Sequence, residues 1–279
     1  MKTVVCLKLI ADPGIIEFEI ASEELRNIRP VLDPIDHYAL EEGLALRQEW
    51  GGEVIAVSVA PEAGDEILRN ALLYGADRAI RFWDDGLQGA DTWLVSQVIL
   101  EGLERVGFDL ILCGTRSGDM GSGLMVSALA HRLNIASATG IIALEIVDHK
   151  QIVADKKLPK GKRETYTLEL PAVLAVEEGI NEPRYVAPFS RTYRAGMRKE
   201  VEFMQTHSGS PKGQRLIENL RFVQAQPRVK VGINISALSM QEQLKMMRGE
   251  LGREKKEIFE GPPEEAAKKI ITQLGEALK

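Results

Sequence analysis

The chain has 279 residues, room for one large domain or a domain with an appendage. Apolar residues at 44% and charged residues at 27% describe an ordinary soluble globular protein, and a net charge of −6 argues against the basic surface that nucleic-acid binding needs. The four histidines lack metal-ligand spacing, the two cysteines form no C-x-x-C pair, and no apolar run reaches membrane-spanning length, which sets aside a zinc or dithiol site and an integral membrane protein.

No targeting segment is read before the first strand, so the expected location is cytoplasmic. Thr3–Ile10 is apolar and β-branched and predicts a strand, ended by Ala11-Asp12-Pro13-Gly14. A helix opens at Asp33-Pro34-Ile35-Asp36, with Asp33 as N-cap and Pro34 at the first helical position, and stops at Gly51-Gly52. Strand Glu53–Val59, a helix from about Gly64 to Tyr74, strand Arg78–Trp83, helix Asp91–Val106 and strand Phe108–Cys113 follow in alternation. Such alternation predicts βαβ units: a doubly wound, mostly parallel sheet with helices on both faces, binding its ligand beyond the C-terminal strand ends where strand order reverses. Cys6 and Cys113 lie inside apolar runs and read as buried, reduced core thiols.

After Cys113 comes Gly114-Thr115-Arg116-Ser117-Gly118-Asp119-Met120-Gly121-Ser122-Gly123, then a helix from about Leu124 to Leu133. A loop rich in glycine and hydroxyls that runs into a helix N-terminus can trap an anion on its N–H groups; by itself it reads equally as a plain flexible turn. Ile141–Val147, Gln151–Ala154, Thr165–Leu170 and Ala172–Val176 predict short strands, taken together as a small antiparallel addition to the sheet. Beyond Pro188 the pattern weakens. Residues 207–214 have linker composition, and 237–252 and 263–278 predict helices. The domain division expected is 1–190 for the nucleotide-binding α/β domain and 191–279 for an extended C-terminal arm, with too little apolar content for its own core, that packs on a partner subunit; a solvated or disordered tail is the other reading.

Several segments, in order, resemble the electron-transfer flavoprotein β-subunit family: the first strand with Lys8 and Asp12; Asp33-Pro34 leading to Ala39-Leu40-Glu41-Glu42-Gly43; Glu53–Pro61; Gly75-Ala76-Asp77-Arg78-Ala79; and Leu170–Leu174 followed by Asn181-Glu182-Pro183-Arg184-Tyr185. Residues 257–265 (EIFEGPPEE) resemble the end of longer prokaryotic members. The resemblance implies a heterodimer with an α subunit that carries FAD. It implies an adenine nucleotide in this subunit: AMP in the ordinary carriers, a second FAD reduced by NADH in the electron-bifurcating members. It places the nucleotide contacts at Cys6, Asp33, Pro34, Ile35, Asp36, Val59 and the loop Gly114–Gly123, although that loop is about three residues shorter than the family's and lacks its glutamine. It makes Ile180 an exposed anchor for a dehydrogenase partner of the acyl-CoA dehydrogenase type; an ordinary half-buried isoleucine is the other reading. Asp91-Thr92 in Gly89-Ala90-Asp91-Thr92 resembles the bifurcating members, and reads equally as a helix N-cap.

The function expected is therefore an electron-carrier subunit shuttling electrons between dehydrogenases and an acceptor such as a quinone-linked one. It is not an independent enzyme, since no convergent catalytic constellation is visible. The alternative is an ATP- or AMP-binding protein of the universal-stress type. Its Gly-x2-Gly-x9-Gly-Ser/Thr pattern starts at Gly118 and Gly121 but fails at His131.

Overall fold

The computed structural model describes residues 1–206 apart from 13, 16, 20–23, 27, 28, 88 and 149, with the backbone alone at 17–19 and 24–26. The expected linker at 207–214, the helices at 237–252 and 263–278, and the segment 257–265 lie outside the described residues, as does most of the expected arm.

The elements in chain order are β1 (Lys2–Cys6), β2 (Leu9–Ala11), β3 (Glu17–Glu19), β4 (Glu24–Arg26), β5 (Pro30–Leu32), α1 (Pro34–Trp50), β6 (Glu53–Val59), α2 (Asp65–Tyr74), β7 (Arg78–Trp83), α3 (Thr92–Val106), β8 (Leu110–Gly114), α4 (Met125–Leu133), β9 (Ala136–Ile146), β10 (Gln151–Lys157), β11 (Arg163–Glu169), β12 (Ala172–Val176), α5 (Arg191–Gly196) and β13 (Glu202–Gln205). Local chemistry explains many of the boundaries. Asp33 caps α1 by accepting from the Ile35 N–H, and Pro34 sits at the start of that helix. Asp91 caps α3 by accepting from the Leu94 N–H, which satisfies the N-cap reading of that residue.

The main sheet has the order β11-β10-β9-β12-β8-β1-β6-β7-β13. Every neighbouring pair from β9 to β13 is parallel, and among the described strands of this sheet only β10 runs the other way, antiparallel to both β9 and β11. The layers are those of a doubly wound fold. One face carries α1 and α2, with Leu40, Leu44, Leu68 and Leu72 packed on Val5, Ala56 and Leu112. The other carries α3 and α4, with Leu94, Leu103 and Leu129 packed on Val4, Val57, Ile111 and Val173.

Four expectations change. The first strand does not run to Ile10: after Cys6 the chain leaves the sheet, the Lys8 N–H donates to Asp36 instead, and Leu9–Ala11 pairs with Pro30–Leu32 in a separate ribbon. β12 is not part of an antiparallel addition. It lies inside the sheet, parallel to both β8 and β9, because all five residues of AVLAV are buried and need a cover on both faces. β9 serves both arrangements, pairing parallel with β12 through its first half and antiparallel with β10 through its second. Residues 191–206, expected in the arm, pack on the domain itself: Lys199 Nζ donates to the Ala76 carbonyl at 2.7 Å, and β13 adds to the sheet edge, with Arg78 gripping Glu202 by two bonds of 2.7 Å.

Candidate functional site at the strand switch point

β1 leads through α1 to β6 on one side of it, whereas β8 lies on its other side and leads through α4 the opposite way. Strand order therefore reverses between β1 and β8, the place where such sheets open a crevice. A cavity of about 220 Å³ lies there. It is walled by the ends of β1, β6 and β8, by the start of α3, and by the loop 114–123 with the first residues of α4.

Of the residues expected to contact a nucleotide, Cys6, Asp36, Val59, Gly114, Thr115, Arg116, Ser117, Asp119, Met120, Ser122 and Gly123 line the cavity. Asp33, Pro34, Ile35, Gly118 and Gly121 do not; they build it. Asp33 accepts from the Gly118 N–H at 2.7 Å and so ties the loop to the start of α1. Ile35 packs so close to Gly114 that a Cβ there would stand 2.4 Å from its Cγ2 and 2.7 Å from Asp36 Oδ1, which makes glycine the residue that lets β8 and α1 meet. The Gly121 N–H donates to the Ser117 carbonyl at 3.0 Å and is used within the loop. Gly121 and Gly123 have φ values of 60° and 62°, the left-handed turns that bring the loop to α4. The N-cap residue Leu124 makes no capping bond with its own side chain, and Ser122 Oγ accepts from the Leu124 N–H at 3.5 Å, so among the described residues the N–H groups of the first turn of α4 are left for the cavity that this end lines.

The electrostatics are asymmetric. Lys8 Nζ bridges Asp119 Oδ1 at 2.5 Å and Ser117 Oγ at 3.2 Å across the mouth. Partial burial pushes the Asp119 carboxyl up, but the bonds from Lys8, Ser117 and the Met120 N–H outweigh it and hold the group below its ordinary value. Asp36 accepts from the Lys8 N–H at 2.7 Å and the Gly114 N–H at 3.2 Å, yet complete burial dominates and, with the Asp33 charge, raises it from 3.8 to about 8. Burial thus weakens the charge of Asp36 in the floor, while Arg116 stands exposed at the rim, without an ion pair among the described residues. The apolar wall from Val57, Val95 and Ile99 was not expected from the sequence, nor was the Lys8 bridge across the mouth; the helix Asp91–Val106 was expected, but not that its first turn faces the cavity. Thr92 Oγ1 lies 3.3 Å from Ser122 Oγ, which brings the segment 89–92 to the same mouth.

Ile180 stands elsewhere and is not an exposed tip. It is half-buried and packs against the core on the α1 face. The reason lies in its neighbours: Asn181 donates to the Tyr38 carbonyl at 3.0 Å and to Glu42 at 2.9 Å, and Arg184 forms a two-pronged pair with Glu41 at 2.7 and 2.8 Å. The exposed large apolar side chains of this stretch are Tyr185 and Phe189.

A family model described as the electron transfer flavoprotein domain matches residues 26–205, ending on the last residue of β13. The chain is 36% identical over 156 residues to the Electron transfer flavoprotein subunit beta of Bacillus subtilis (strain 168), which is 56% of this chain and 60% of that one. It is 32% identical over 160 residues to the protein of the same name from Methylophilus methylotrophus, with the same two shares. It is 31% identical over 191 residues to the Caffeyl-CoA reductase-Etf complex subunit CarD of Acetobacterium woodii, covering 67% of this chain and 72% of that one. The chain belongs to the electron transfer flavoprotein β-subunit family. Its alignments span about 60% of the length of the first two relatives named. The family match includes Asp33–Asp36, the loop 114–123 and Ile180, and begins after Cys6. Among the described residues no helix is long and apolar enough to cross a membrane.

Proposed function

We propose that this chain is the small subunit of a heterodimeric electron-transfer flavoprotein, working beside an FAD-carrying α subunit, and that its switch-point cavity binds an adenine nucleotide. The observation that carries this reading is the cavity itself: the loop 114–123 and the start of α4 close one side of an apolar crevice at the reversal of strand order. The donor set suits a phosphate-bearing ligand. Ser122, Gly123 and the α4 N-terminus would hold the phosphates by backbone N–H groups, with Arg116 as the nearby cation. Val57, Val59, Val95 and Ile99 would cover the ring system. Burial lifts the Asp36 carboxyl to about 8 and so lessens the negative charge it would set against the anion at neutral pH. A bound flavin would supply electron transfer and a bound AMP would complete the fold around the cavity; the protein's part is to bind, orient and exclude water. In the complex the chain acts as a carrier between dehydrogenases and an acceptor rather than as an enzyme with its own substrate.

The test is the nucleotide content of the purified complex by HPLC. One adenine nucleotide in this chain, additional to the FAD of the α subunit, is the expected result; a complex holding one FAD and nothing else would refute the reading. A second-FAD, bifurcating version is favoured by the segment 89–92, which resembles the bifurcating members and reaches the cavity mouth, where Thr92 Oγ1 lies 3.3 Å from Ser122 Oγ. Two FAD per heterodimer with reduction by NADH would support that version, and one FAD with one AMP and no NADH reaction would remove it.

A further inference from the structure

The cavity holds two thiols whose redox chemistry nucleotide binding does not use. Cys6 is the last residue of β1, and Cys113 the last but one of β8. The two strands pair in parallel through Val4 with Ile111 and Val5 with Leu112, so Cys6 and Cys113 stand on the next rung. Strand alternation puts Cys6 on the face of Val4 and Cys113 on the face of Ile111, and all four belong to the apolar cluster under α3 and α4. Both cysteines line the cavity, Cys113 buried and Cys6 half-buried, and they stand side by side on neighbouring strands. Neighbouring strands lie about 4.8 Å apart, within the span of roughly 4.4–6.8 Å between Cα atoms that a disulfide bridges. The chain has two cysteines in all, so oxidation within one chain has a single possible disulfide product.

We infer that Cys6 and Cys113 are an oxidisable dithiol in the floor of the cavity, closed to a disulfide by a small hydroperoxide. The half-buried Cys6 is the sulfur that a small oxidant in the cavity meets first. Its thiolate attacks one oxygen of hydrogen peroxide, the O–O bond breaks, and the departing hydroxide takes up a proton as water, leaving a sulfenic acid on Cys6. The sulfur of Cys113 then attacks the Cys6 sulfur. The S–O bond breaks, and hydroxide leaves with the Cys113 proton as a second water. In sum, two thiols give up two electrons and two protons, and one peroxide becomes two waters. The neighbouring Cys6 thiol and burial push the Cys113 thiol up, so this second step quickens as pH rises and more of the Cys113 sulfur is thiolate. Closure ties the ends of β1 and β8 together under the place proposed for the nucleotide. That consequence rests on the nucleotide reading, whereas the oxidation itself does not.

The full-length chain, purified as it comes, is reduced, freed of reductant, exposed to hydrogen peroxide, then alkylated under denaturing conditions and digested for mass spectrometry. Both alkylatable thiols should disappear together, from two per chain to none, with the peptides bearing Cys6 and Cys113 joined to each other and released again by dithiothreitol. In Cys113→Ser, dimedone should label a sulfenic acid at Cys6. Two thiols that stay alkylatable, a sulfinic acid on Cys6 beside a free Cys113, or a disulfide joining two chains would each overturn the proposal. None of these outcomes depends on whether a nucleotide is bound.

Discussion

Asp36 is the residue whose position costs the fold most directly. Burial, reinforced by the Asp33 charge, lifts its carboxyl from 3.8 to about 8 against two backbone hydrogen bonds that favour the charged form. Between those two values the unfolded chain has released the proton while the native chain still holds it. The native state then binds more protons, so the group's contribution to stability is complete below the unfolded value and is lost as pH rises through this window, with no further change above about 8. Asp36→Asn cannot titrate. Its unfolding free energy should therefore fall less steeply than that of the unsubstituted chain over the same window, as read by denaturant titrations at a series of pH values; equal slopes would assign the titration to another group. Gly123 gives a second expectation at this scale. Its φ of 62° suits glycine, and an added Cβ would sit 3.3 Å from the Thr115 carbonyl oxygen. Gly123→Val should cost roughly 1–2 kcal/mol of backbone strain and lower the bound nucleotide from about one per chain to near none, with the helical content preserved. Unchanged nucleotide stoichiometry would place the phosphates elsewhere.

At the scale of elements, the segment after β12 is held to α1 by side chains rather than left as a protruding loop. Asn181 and Arg184 reach Glu42 and Glu41, and burial pushes Glu42 up against the opposing pull of the Asn181 bond. This clamps Ile180 onto the core. Ile180→Ala should therefore lower stability by about 1–2 kcal/mol, the cost of truncating a half-buried isoleucine, and shift the thermal midpoint accordingly. A midpoint unchanged by the substitution, together with weakened electron transfer to a dehydrogenase, would restore the anchor reading that the family resemblance implied. The charge patterns of this stretch were visible in the chain, but a Glu-Glu pair on a helix and an Asn and Arg far downstream do not identify each other as partners. Their pairing follows from β12 entering the sheet beside β8, which places the segment over α1.

At the scale of the whole molecule, the family match ends where the described sheet ends, at Gln205. The proposed carrier subunit would act in a complex. The chain expressed alone should lack flavin colour, and co-expression with an α subunit should yield a yellow one-to-one heterodimer by size-exclusion chromatography with absorbance at flavin wavelengths. A monodisperse, flavin-containing monomer would contradict both the heterodimer and the carrier role.

What the sequence determined by itself was whatever depends on a few consecutive residues. The caps at Asp33 and Asp91 stand as read, and strands Glu53–Val59 and Arg78–Trp83 begin and end where their apolar patterns do, because capping and side-chain alternation act over one turn or one strand. The alternation of strand and helix was enough for the doubly wound class and for its switch point. Tertiary structure alone decided the rest. A run such as AVLAV carries no alternation and says only that both its faces are buried, so its place between β8 and β9 had to come from the sheet order. Asp36 opens a helix in the sequence and becomes a buried acid only when β8 closes over it. The two cysteines, distant in the chain and lacking any local motif, read as separate core thiols; parallel pairing of β1 with β8 sets them side by side in the floor of a cavity, with Cys6 half-buried and Cys113 buried. Contacts of this kind are fixed by packing across the sheet, and short-range propensity holds no information about them.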